Sequence, residues 1–158
     1  MPGREATEFS RAVEALRAAR LRPEVRLTEV PAPQRIAPYA VAMTADVLTS
    51  VDDDDELATG RFVLLFDPSA PEPWSGQWRV VTFARAELEP EFASDPLLGE
   101  VGWTWLTDSL DQRGVDYTAD AGTVTRVVSE SFGGLSDKDP SVEMEVRASW
   151  SPVGGSVA

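Results

Sequence analysis

The 158-residue chain contains no histidine and no cysteine, and its only lysine is Lys138. Each absence closes a class of chemistry. Without histidine, proton transfer near neutral pH loses its usual side chain, and a Ser-His-Asp triad cannot be assembled. Without cysteine there is no disulfide and no thiol nucleophile. Zinc, haem and iron–sulfur ligation by either residue type is excluded with them. A Ser–Lys dyad would have to use Lys138, which sits between Asp137 and Asp139 in a turn-forming Asp-Lys-Asp-Pro segment. No apolar run approaches the ~20 residues of a membrane span. The start, Met1 to Phe9, lacks the apolar core of a secretion signal, so a cytoplasmic location is expected. Neither a GxGxxG nor a GxxxxGK[ST] pattern occurs, and no cofactor is expected.

Charge is abundant and uneven. The net charge is −13, yet residues 1–35 hold seven arginines against five glutamates, a local +2, so the remaining 123 residues carry −15. An acidic body repels phosphate backbones, which makes nucleic acid a poor partner for it; the arginines of the first 35 residues are the one place where phosphate could be met. Hydrophobic content of 42% and charged content of 26% are ordinary for a globular domain, and the length suits one domain. Residues 1–6 are expected to be disordered, 7–152 to form one α+β domain, and 153–158 to be a flexible tail.

Periodicity gives the expected elements. Phe9, Val13 and Leu16 recur at helical spacing and predict a helix from Thr7, as N-cap, to Arg20. Prolines 31, 33 and 38 impose an extended linker packed along the surface. Three strands follow: Ala40 to Leu48; Arg61 to Phe66, apolar on both faces and therefore central; and Gln77 to Leu88. A second helix is predicted from Asp95 (N-cap) and Pro96 to Gly114 (C′). Its buried stripe runs through Leu98, Val101, Trp105, Leu106, Ser109 and Leu110. Two strands close the chain, Gly122 to Phe132 and Ser141 to Trp150, the latter alternating strictly. The expected fold is α+β in the order α-β-β-β-α-β-β, a mostly antiparallel five-stranded sheet with both helices on one face.

The remaining chemistry lies with carboxylates and aromatics. Asp52 to Asp55 with Glu56 could bind a hard cation, but the run lacks the spaced Asp pattern of a calcium loop and reads as a solvated hairpin loop. Glu87, Glu89 and Glu91 alternate and would share one face of an extended strand, as a metal site or carboxylate pair, or as a polar strand edge. Five tryptophans are many for this length: Trp105 and Trp150 fall on expected core faces, while Trp74 lies in a loop and Trp103 off the helix stripe. An exposed Trp commonly anchors a partner protein. Arg79, Arg85 and Glu87 share one strand face with Val81 and Phe83, so Trp74, Trp103, Arg79, Arg85 and Glu87 are the expected partner-binding residues.

In the segments Pro31–Ala40, Glu56–Leu65, Arg79–Glu91, Gly102–Asp108 and Ser129–Leu135 the chain resembles the actinobacterial family known as domain of unknown function 3000. The likeness runs from about Phe9 to Pro152. It implies a cytoplasmic bacterial protein and carries over no catalytic residue, cofactor or metal. Members of that family commonly continue past the equivalent of Val153 into an apolar helix, so the last strand is expected to be short of cover here. With that helix the element order is similar to the type III secretion chaperone-like fold, whose members are small, acidic and often dimeric.

Three functions stay open from the sequence. One is a non-enzymatic, chaperone-like protein-binding module, for which a homodimer is one form, with neither membrane nor nucleic acid as partner. The second is a carboxylate-dependent, metal-assisted enzyme. The third is an RNA-associated factor using the N-terminal arginines.

Overall fold

A computed structural model describes residues 3–48 and 56–153. The element order is α1 (Arg4–Arg17), β1 (Val25–Val30), β2 (Tyr39–Leu48), β3 (Glu56–Phe66), β4 (Trp78–Leu88), α2 (Leu98–Gln112), β5 (Tyr117–Ser129) and β6 (Ser141–Pro152). The strands form one six-stranded sheet in the order β1-β2-β3-β4-β6-β5. Every pairing is antiparallel.

The sixth strand corrects the expected five. Val25–Val30 alternates, but Glu29 occupies an inward position where an apolar residue would announce a strand. That glutamate is a partner for the helix above it: Arg17 donates from Nε and Nη2 to its two carboxylate oxygens at 3.0 and 3.1 Å. The pair ties α1 to the sheet edge. The extra strand also removes the element-order basis of the chaperone-like likeness.

Both helices cover the same sheet face, as expected. Ala12, Val13 and Leu16 of α1 bury against Val41, Met43, Leu64, Phe66, Trp78 and Val80, and β6 adds Ala148 and Trp150. Phe9 and Tyr39 extend this core as aromatics, with Phe66 and Trp78 only 4.3 Å apart between ring centroids. The inward residues of β6 are buried, so the last strand is not short of cover. The first helix starts at Arg4, not Thr7; Thr7 is inside it, its hydroxyl donating back to the Gly3 carbonyl at 3.2 Å.

The second helix begins later and sits in a different phase from the one expected. Asp95 caps the turn ahead of it, accepting from the Leu97 N–H at 2.9 Å, and helical bonding starts at Leu98. The buried line is Leu98, Gly102, Leu106 and Leu110, flanked by Trp103; Trp105 points outward and is 49% exposed. The phase follows from two glycines. A Cβ on Gly102 would lie 2.9 Å from Met144 Sδ, and one on Gly122 would meet the Arg147 carbonyl and lie 2.6 Å from Trp103 Cζ3. The indole of Trp103 thus rests on the bare backbone of β5, an approach that any side chain at Gly122 would block. The helix ends as expected: Gly114 is at φ +68°, its N–H donating to Asp111 O while the Val115 N–H donates to Leu110 O.

Candidate functional site

The other sheet face is covered by the Pro-rich segment and not by helices. Val30, Ala32, Ala37 and Trp74 pack on Ala42, Val63 and Leu65, which closes one corner. The linker therefore runs along the surface as its prolines demand, and Trp74, expected to be an exposed anchor, is half-buried in this small cluster. Beyond that corner no element among the described residues covers the face.

Strand register orders this whole face, covered corner included, into rows two residues apart. The first row is Val30, Ala42, Val63, Val81, Ser149 and Ala121. Next come Thr28, Thr44, Arg61, Phe83, Arg147 and Thr123, and then Arg26, Asp46, Thr59, Arg85, Glu145 and Thr125. A last row holds Glu87, Glu143 and Val127. The face therefore grades from apolar, through an Arg-Phe-Arg row, to charge pairs and then acid.

A groove of about 540 Å³ lies over the first two rows, with Val63, Val81 and Phe83 as floor, Pro33 and Ile36 as one wall, and Arg61 and Arg147 at its rim. Val81 is 41% and Ile36 59% exposed. The groove continues toward β5 as a shallower hollow of about 270 Å³ beside Ala121 and Thr123. The Arg147 guanidinium lies 5.2 Å from the Phe83 ring centroid, a cation–π contact. Among the described residues neither Arg61 nor Arg147 forms an ion pair.

Of the expected binding residues, Arg85 and Glu87 are exposed on this face. Arg85 is already engaged, donating from Nε and Nη2 to the Glu143 carboxylate at 2.9 and 2.6 Å, a bond that raises its pKa further. Arg79 is a buried residue, 9% exposed. Its guanidinium donates to Ala119 O at 2.8 Å, Ser151 Oγ at 2.9 Å and Ser149 Oγ at 2.7 Å. Burial lowers its pKa, and the charge of Asp120 partly restores it. The carbonyl that receives it is presented by a break in the β5 register between Thr118 and Ala121, where Ala119 takes φ +55°. Arg79 is a bolt between strands, inaccessible as a surface contact. Trp103 is likewise half-buried over Gly122, and Trp105 is the exposed tryptophan of α2, the reverse of the expectation.

The three glutamates do not converge. Strand β4 ends at Leu88 and Pro90–Ser94 forms a 3-10 turn, which takes Glu91 out of line with Glu87. Glu89 and Glu91 remain together: their mutual hydrogen bond raises the pKa of Glu89 and lowers that of Glu91. Among the described residues no group of three metal-ligating side chains forms. The acidic run Asp52–Asp55 lies outside the described residues. Of the N-terminal arginines, Arg17 is occupied by Glu14 and Glu29. Among the described residues no helix is long and apolar enough to cross a membrane.

The structure defines an α+β protein with an antiparallel open sheet, helices on one face and a half-covered second face. The chain belongs to the family described as Protein of unknown function (DUF3000), whose model matches residues 5–158. No curated protein and no solved structure matches it.

The sequence places Val81 and Phe83 beside Arg85 and Glu87 and shows the alternation of β6, but not Arg61 or the groove. The alternation was visible strand by strand. What joins Arg61, Phe83 and Arg147 is register, and that requires knowing that β6 pairs with β4 and not with β5 alone.

Proposed function

We propose that the protein is a non-enzymatic, cytoplasmic module that binds another polypeptide on the open half of its sheet. The observation that carries this reading is the apolar groove over Val81 and Phe83, at the edge of the buried Val63 cluster, which no element among the described residues covers. Contiguous exposed apolar surface on a folded domain marks an interaction site more often than a solvated one. Arg85 and Glu87 belong to its polar margin; Trp74, Trp103 and Arg79 serve the fold. The mode is chaperone-like in that a segment of a client lies on a sheet face, and a second copy of the chain is one partner such a face admits.

The test is Val81→Lys, which places a charge on the groove floor at a position exposed enough to leave folding intact. Proteins captured from native lysate by the wild type and lost with Val81→Lys, together with sedimentation of both forms to score self-association, are the expected result. The same proteins and the same sedimentation for both forms would overturn the reading.

A further inference from the structure

We propose that the Arg61–Phe83–Arg147 row receives the free C-terminal carboxylate of a partner chain whose last side chain is apolar. This rests on the binding-face reading and deepens it. Arg61 and Arg147 flank Phe83 in one cross-strand row, their strands two spacings apart, roughly 10 Å. Both side chains are exposed, and among the described residues neither is ion-paired, so both can turn onto one anion above the Phe83 ring. Guanidinium groups present donors in the planar fork that a carboxylate accepts. The apolar floor begins one row away, about 7 Å along the strands, with exposed Val81 beside the largely buried Val63, where the side chain next to that carboxylate would fall.

The neighbouring rows decide the kind of anion. On the side away from the floor lie Arg85 and Glu145, then Glu87 and Glu143; Arg85 is already taken by Glu143, which leaves Glu145 and Glu87 as the unneutralised charges there, in a protein of net charge −13. A run of acidic side chains, or a phosphate backbone, would bring its further charges against those carboxylates. A chain terminus brings one charge only and needs no continuation toward the acidic rows. Its preceding residues run over the apolar floor toward Ile36.

The test uses fluorescence anisotropy with labelled heptapeptides ending in Val, Leu, Ile or Phe, each with a free carboxylate and each amidated, and an amidated peptide of the same length with one internal Glu. Binding of a free acid, with the amide at least about tenfold weaker, is expected. The double variant R61Q/R147Q should lose about tenfold or more toward the free acid, with circular dichroism and melting unchanged. Equal binding of acid and amide, equal binding of the internal-Glu peptide, or no binding up to millimolar peptide would overturn the proposal. If the Val81→Lys-sensitive capture persists while the peptides fail, only the carboxylate assignment falls. If both fail, the binding face falls with it.

Discussion

Replacing Arg79 by Met separates a structural bolt from a contact residue. The guanidinium makes three hydrogen bonds from a position 9% exposed, to Ala119 O, Ser149 Oγ and Ser151 Oγ. Bonds to a charged group each contribute about 1.5–3 kcal/mol, and the acceptors left behind would be partly buried with no donor. Against this stands the desolvation of the cation, which Met, close in length, does not incur. The net cost should be about 2–4 kcal/mol, or roughly 5–15 °C in melting temperature for a protein of this size. Urea unfolding with the linear extrapolation measures it directly. Arg79→Lys should lie between, about 1–2 kcal/mol, because an ammonium keeps the charge and loses the fork. A loss under about 0.5 kcal/mol for R79M, or wild-type stability for R79K, would refute the account. Weakened partner binding at unchanged stability would do so in a more informative way, since it would return Arg79 to the surface role its sequence suggests.

The phase of α2 is tested by a pair of truncations followed by urea unfolding: Trp103→Ala should cost about 2 kcal/mol through lost packing on Gly122, and Trp105→Ala less than about 0.5. The opposite order would mean that the helix is rotated. The ion pair at the sheet edge should show in the acid limb. Arg17 lowers the pKa of Glu29 in the folded state, so the stability it contributes is present above the unfolded value, ~4.3, and is lost as pH falls through the lower folded value. Glu29→Gln should flatten stability against pH below about 4.5, and 1 M salt should shrink the difference between the two proteins; identical acid limbs would remove the pair from the account.

Much of the architecture was legible because alternation and helical spacing report directly on burial. Strand β6 is the clearest case: Val142, Met144, Ala148 and Trp150 are buried where the pattern puts them. The misses have separate physical origins. Strand β1 was hidden by one inward glutamate whose partner, Arg17, lies twelve residues back in the chain. In α2 helical spacing admits two overlapping stripes one residue apart, and the larger side chains, Val101 and Trp105, favour the wrong one. What selects between them is a pair of glycines, and a glycine contributes nothing to an apolar pattern. Arg79, Arg85 and Glu87 looked equivalent on one strand face; their fates diverge through Ser149, Ser151 and Glu143 on a strand more than fifty residues away.

The arginines of the open face divide by what the chain has already done with them. Arg79 is consumed at the apolar end by two serines and a bulge carbonyl, and Arg85 at the acidic end by Glu143. Between them Arg61 and Arg147 flank the Phe83 ring, with no carboxylate among the described residues closing on either. Two exposed guanidinium groups beside an apolar floor put positive charge next to rows that carry Glu145, Glu87 and Glu143. Their spacing across β4 then sets the size of the anion that can satisfy both at once, and the acidic rows beside them set the side from which it can approach.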